Sequence, residues 1–176
     1  MKFTRLRRRP DLLRGMAAGL IGGLVGGWTM NQFQAVESKV RENCSGTSGQ
    51  EQKSESDDAT TKTAAWLLDS LAGIELSKKQ RKTAGPIVHY AFGAAMGALY
   101  GGLMEYKRRS SPADGAMWGT ALFVGADELT VPALGLSEPP TKYPLSVHAS
   151  ALTAHLLYGL TTELVRRKTR RALMLV

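Results

Sequence analysis

Four long stretches with almost no charge constrain this chain more than any other feature. They cover residues 12–34, 85–106, 113–136 and 144–165. A helix needs roughly 20 predominantly apolar residues to cross a bilayer, and each stretch meets that length. They are rich in Ala, Gly and Leu and lack period-2 alternation, which disfavours strands. A soluble bundle would need a polar face on each helix, and the first two stretches have almost none. We therefore predict an all-α fold, an integral membrane four-helix bundle.

The positions of the basic residues predict the orientation of this bundle. The net charge is +8, and fourteen basic residues lie on one side of four alternating spans. The positive-inside rule places that side in the cytoplasm, with both termini inside a bacterial inner membrane. Residues 1–11, 107–112 and 166–176 are then cytoplasmic, and residues 137–143 form a short external loop. The basic clusters are also expected to contact anionic lipid, and we do not expect them to bind nucleic acid.

The long connection between the first two spans divides into two parts. Residues 35–62 are rich in Ser, Thr, Glu and Asp and predict a flexible external loop, which contains the single cysteine, Cys44. Residues 63–84 combine an apolar stripe around Trp66 with the basic run that begins at Lys78. This order predicts a short amphipathic helix that lies either in the membrane interface or against a partner subunit.

Glycines recur at every fourth position in the first two spans and predict close helix packing. Residues without side chains let a second helix approach closely, which favours association within a membrane. The pattern leaves open whether the two spans pack against each other or whether a homo-oligomer or a larger membrane complex uses these faces. The predicted packing residues are Gly15, Gly19, Gly23, Gly27, Gly93, Gly97 and Gly101.

Five ionisable residues within the predicted spans are the candidate site, because charge within hydrocarbon is costly and often functional. A proton or ion path and a metal site both use carboxylates and imidazoles. The alternative is structural, with a carboxylate pairing with a histidine and pinning two helices together. Pro132 is expected to kink the third span. The candidates are His89, Asp127, Glu128, His148 and His155.

Two further acids lie at the cytoplasmic ends of their spans, each followed by arginines. Helical spacing allows Glu105 to reach Arg108 or Arg109, and it allows Glu163 to reach Arg166 or Arg167. We interpret both acids as anchors at the membrane interface rather than as site residues.

No signature of a known enzymatic chemistry occurs in the chain. It lacks a nucleophile constellation, a phosphate-binding loop and a dinucleotide fingerprint. We therefore expect no catalytic residue and no cofactor, and predict a non-enzymatic scaffold, accessory subunit or envelope-stress component. The first alternative is a small proton or ion transporter, or a channel-like oligomer. The second is a membrane metal-binding protein that carries a metal ion.

The second half of the chain resembles the YagU-like family of small bacterial inner-membrane proteins. The matching features are the run from His89 to Ala94, Trp118-Gly119, the run from Pro132 to Leu136, Pro139-Pro140, His155-Leu156, and Glu163 before Arg166-Arg167. The resemblance implies a multi-span inner-membrane protein with no assigned reaction. The long polar loop, the glycine pattern of the first span and the Asp127-Glu128 pair depart from the features that carry it.

Overall fold

The computed structural model describes residues 10–45, 78–107 and 109–173. Within these ranges the fold is all-helical and contains no strand. The four long elements are α1 (Leu12–Ser45), α2 (Lys78–Glu105), α3 (Pro112–Leu122) and α4 (Leu145–Ala172). Between α3 and α4 the chain passes through a π-helical segment, Phe123–Thr130, one α turn, Val131–Ala133, and a 3₁₀ turn, Pro140–Lys142.

Helices α1 and α2 run antiparallel and pack through their glycines. A Cβ atom added at Gly97 would lie 2.7 Å from Gly23 Cα, and one added at Gly101 would lie 2.8 Å from Gly19 Cα. Such separations are too short for any side chain, so the two backbones are in direct contact. The predicted glycine faces therefore meet within a single chain.

Helix α4 packs between α1 and α3, and it uses glycines on both sides. A Cβ at Gly22 would lie 2.6 Å from Thr162 O, and one at Gly115 would lie 2.8 Å from Glu163 Cβ. The contact of Gly115, Gly119 and Gly159 between α3 and α4 was not predicted. The sequence contains one Gly-x-x-x-Gly pair there, Gly115 and Gly119, which is a shorter pattern than the repeated glycines of the first two spans.

Three predicted boundaries are wrong because helices continue beyond the apolar stretches, and the first is that α2 begins at Lys78 rather than at residue 85. Helix α1 extends to Ser45, into the region predicted as a flexible loop, where Glu37 and Arg41 form an ion pair at helical spacing, 2.6 Å apart. Helix α4 extends to Ala172 through the predicted basic tail, because Arg166 and Arg170 pair with acids inside the bundle. Residues 46–62 of the predicted loop and residues 63–77 of the predicted interfacial segment 63–84 lie outside the described residues, whereas residues 78–84 form the first turns of α2.

The third predicted span is not a regular helix. Pro132 was expected to kink the third span, and the chain winds as a π-helix just before this proline. Within that segment Thr130 Oγ1 donates a hydrogen bond to Gly125 O at 2.6 Å. Proline has no N–H to donate, so the preceding carbonyls lose their usual partners and the wider winding supplies others. The helical segment ends at Ala133, three residues before the predicted end.

One described helix is long and apolar enough to cross a membrane, judged by length and composition. It covers Gly85–Glu105, and a third of its most apolar window is buried within the bundle. A single such helix also occurs in cores of soluble proteins and is weak support for a membrane location. The regular α-helix within the third predicted span, Pro112–Leu122, has 11 residues and is shorter than a span needs.

Candidate functional site

The two acids of the π-helical segment each face a different histidine of α4. Glu128 Oε1 lies 2.7 Å from His148 Nδ1, whereas Asp127 Oδ2 lies 3.7 Å from His155 Nδ1. Adjacent residues point in different directions on a helix, and the histidines are two turns apart. We call these the two acid–histidine pairs. The predicted candidates therefore meet in two places rather than in one site.

The Glu128–His148 pair is fully hydrogen-bonded. His148 Nε2 lies 3.0 Å from Pro140 O, while Nδ1 faces the carboxylate. A carbonyl oxygen only accepts, so Nε2 carries a proton, and the contact at Nδ1 holds a second proton between ring and carboxylate. This pair joins α4 to the π-helical segment, and the contact with Pro140 O joins His148 to the turn before α4.

The Asp127–His155 pair is looser. His155 Nδ1 donates to Ala151 O at 2.9 Å, and its ring packs 5.9 Å from the ring of Phe123. The Asp127 carboxylate, at 3.7 Å, is beyond hydrogen-bond distance from that nitrogen and its side chain is 44% exposed. Asp127 is therefore a carboxylate without a close protein partner among the described contacts.

His89 joins neither pair through a hydrogen bond among the described contacts. Its ring packs edge-on against the ring of Tyr90, with centroids 5.9 Å apart. Among the described residues, no three or more His, Cys, Asp or Glu side chains are grouped so that they could hold a metal ion. The arrangement therefore gives no support to the metal-binding alternative.

A second set of charged residues lies at the opposite end of α4, and its extent was not predicted. Glu163 is 1% exposed and accepts from Arg166 Nε at 2.7 Å, from Arg166 Nη2 at 3.0 Å and from Tyr100 Oη at 3.0 Å. Arg166 Nη2 also donates to Ser110 Oγ at 2.7 Å. The predicted pairing of Glu163 with Arg166 is confirmed, and Glu163 is buried within the bundle.

Glu105 pairs with a different arginine from the two predicted. Arg170 donates to it from Nε at 2.7 Å and from Nη2 at 2.9 Å, and the backbone N–H of Asp11 donates at 3.2 Å. These hydrogen bonds hold the pKa of Arg170 above its usual value, so the guanidinium stays charged. Of the two predicted partners, Arg108 lies outside the described residues, and among the described contacts Glu105 pairs with Arg170 rather than with Arg109.

The residues just described form two hydrogen-bonded sets at the same end of the bundle, which we together call the buried charge network: Tyr100, Glu163 and Arg166 in one, and Glu105 and Arg170 in the other. It connects α2 to α4, reaches the start of α1 through the backbone of Asp11, and reaches the loop before α3 through Ser110. Next to it, Lys107 pairs with Asp114 at the start of α3. One signal could have indicated it: Glu163, Arg166 and Arg170 recur at helical spacing on one face of α4.

These features define the class: an all-helical protein built on glycine contacts, with a buried charge network at one end and two acid–histidine pairs at the other. The profile of the family described as "Protein of unknown function (DUF1440)" matches residues 70–164. The chain belongs to this family. A search of curated proteins and a search of solved structures found no match.

Proposed function

We propose that the protein is a YagU-like integral protein of a bacterial inner membrane that acts as a non-enzymatic scaffold or accessory subunit. In this proposal four spans cross the bilayer, and both termini lie in the cytoplasm. One observation carries the proposal. The distribution of side chains is the reverse of that in a soluble protein, with charged side chains buried in the bundle and large apolar side chains on its surface.

The surface of the bundle is apolar along every long helix. Exposed side chains include Leu13 at 80%, Met117 at 70% and Leu145 at 83%. Isolated apolar residues are common on soluble proteins, but extensive apolar patches mark contact with a membrane or a partner. The set comprises more than twenty exposed large apolar residues, among them Leu20, Ile21, Leu24, Trp28, Ile87, Phe92, Leu99, Leu103, Leu160 and Leu164.

The interior has the opposite character. Its most buried residues include Glu163, Thr162, Arg166 and Arg170, together with glycines and Tyr100. A soluble bundle of this size would gain its stability by burying leucines and isoleucines, which here lie outside. In a bilayer, small residues and interhelical hydrogen bonds hold helices together, and this interior matches that pattern.

The buried charge network favours a structural role over a catalytic one. Each carboxylate is already paired with an arginine and accepts at least one further hydrogen bond from another element. A catalytic acid or base must exchange its proton with a substrate, and Glu163 is enclosed by Arg166 and Tyr100. The network therefore supports a bundle whose helices keep a fixed arrangement, as a scaffold or subunit requires.

The basic end of α4 is also consistent with the proposed orientation. Arg166 and Arg170 point inward and are neutralised, whereas Lys168 and Arg171 are exposed. The exposed cations would lie at the cytoplasmic headgroups, where anionic lipids attract Lys and Arg. The bilayer and its anionic lipids are thus the partners that this proposal includes.

Membrane insertion is tested by washing membranes that contain the full chain with alkaline carbonate. We expect the protein to remain in the pellet and to be released only by detergent, because the exposed leucines would otherwise face water. Release by carbonate would contradict the membrane proposal. A soluble cytoplasmic protein and a known multi-span protein from the same preparation serve as controls.

The scaffold role is tested by native mass spectrometry of the protein extracted in a mild detergent. We expect a mass that exceeds one chain and includes a second protein, with no bound metal ion or cofactor. A chain or homo-oligomer that retains a metal ion or a redox group would contradict the scaffold role and leave the membrane location intact.

A further inference from the structure

The scaffold role does not explain why the carboxyl group of Asp127 lies on the surface of the bundle. Its side chain is 44% exposed on the outer surface of the π-helical segment. Val124 and Leu129 of the same segment are also exposed, at 44% and 61%. Counting from Ala133, where the helical segment ends, at about 1.5 Å per residue, Asp127 lies roughly 9 Å from the membrane surface. In the proposed membrane, this carboxyl group would thus face an apolar environment.

An ionised carboxylate in such surroundings is costly unless a cation or several donors compensate it. Asp127 has no such compensation among the described contacts. The nearest cationic candidate, His155, lies 3.7 Å away and uses its Nδ1 proton on Ala151 O. The neighbouring Glu128 is an acid and is occupied by His148.

We infer that Asp127 is a proton-binding site on the surface of the bundle, a carboxyl group that takes up and releases a proton beside the ring of His155. The inference rests on the proposed membrane location. His155 faces Asp127 from α4, Glu128 adjoins it on the π-helical segment, and His89 of α2 interacts electrostatically with His155. The ligand of the site is a proton.

The π-helical winding contributes to the placement of this site. π-Helical turns are rare and are often found at functional sites. Here Asp127 and Glu128 are adjacent and point in different directions, so that Glu128 pairs with His148 while Asp127 is left at the surface. Gly125, in the same segment, has no atom within 4 Å of the position a Cβ would take, so the surface beside Asp127 is open to a small reagent.

Dicyclohexylcarbodiimide tests the inference, because this apolar reagent reacts with protonated carboxyl groups within membranes. The carboxyl proton moves to a carbodiimide nitrogen while the carboxyl oxygen adds to the central carbon, and the adduct remains attached. Membranes that contain the full chain are treated at pH 6 and at pH 9, and the modified position is located by peptide mass spectrometry. We expect modification at Asp127, at least fivefold greater at pH 6 than at pH 9.

Two variants and a second reagent complete the test. Asp127→Asn should lose the adduct, whereas Glu128→Gln, the matched control one residue away, should keep it. A water-soluble carbodiimide with an added amine should modify Asp127 poorly. Preferential modification of Asp127 by the water-soluble reagent would show a hydrated carboxylate and would overturn the inference, as would no modification by either reagent.

The outcomes also separate this inference from the membrane proposal. A protein that resists carbonate extraction but is not modified at Asp127 is a membrane protein without the proton site. Release of the protein by carbonate would contradict the membrane proposal, and it would also contradict the proton site, which depends on a membrane location.

Discussion

Arg170 donates two hydrogen bonds to Glu105, at 2.7 and 2.9 Å, and thereby joins the last turns of α4 to the end of α2. The two residues are 65 positions apart in the chain. Both side chains are less than 10% exposed. Breaking a buried pair by removing one partner leaves an uncompensated charge, which costs far more than the pair itself contributes.

Glu105→Gln is therefore expected to lower the free energy of unfolding by roughly 3 kcal/mol. Arg170→Gln should cost a similar amount, and the double variant should cost less than the sum of the two. Unfolding in detergent, followed by circular dichroism, measures these changes. Glu138→Gln, which breaks the exposed pair with Lys142, is the control and should show no measurable change. Additive effects of the two network variants would contradict direct coupling.

Tyr100→Phe keeps the ring under Arg166 and removes only the hydroxyl that donates to Glu163. Hydrogen bonds to charged groups contribute roughly 1.5–3 kcal/mol, so a loss in this range is expected. Tyr158→Phe removes a bond to a neutral acceptor, Gly93 O, and should cost less, about 1 kcal/mol. The same unfolding assay compares the two variants. An equal cost would indicate that the charge of Glu163 adds nothing to the bond.

Gly97→Ala is expected to destabilise the contact between α1 and α2. Its Cβ would lie 2.7 Å from Gly23 Cα, so the helices would have to separate. Overpacking costs typically about 1–3 kcal/mol. Gly125→Ala is the matched control, since nothing lies within 4 Å of its added Cβ. The control should be neutral or slightly stabilising, because alanine favours helices more than glycine does. Equal melting temperatures for both variants would show that the close contact is not required.

Cys44 provides a test of the orientation, because it is the only cysteine and lies in the last turn of α1. In the proposed topology this turn is external, so a membrane-impermeant maleimide should react with Cys44 in intact spheroplasts. The double variant Cys44→Ser/Arg109→Cys places the thiol in the connection between α2 and α3 and should react only after lysis. The reverse pattern would place both termini outside.

The sequence by itself determined the local features of this protein. The all-helical class and the four long helices follow from apolar stretches and helical periodicity, which are properties of residues close in the chain. The glycines at every fourth position indicated close packing, because their spacing alone places them on one face. The Glu163–Arg166 pair was also predictable, since three residues separate the two on one helix.

Only the tertiary structure decided which helices and charges meet. The glycines of α1 could have faced α2 or another chain, and the structure places them against α2. Glu105 had local arginines available, but the fold brings Arg170 to it across 65 residues. The sequence left open whether the five candidate residues converge, and the fold pairs Asp127 and Glu128 with different histidines of α4. Pairings of this kind depend on distances between helices, which periodicity along one helix does not contain.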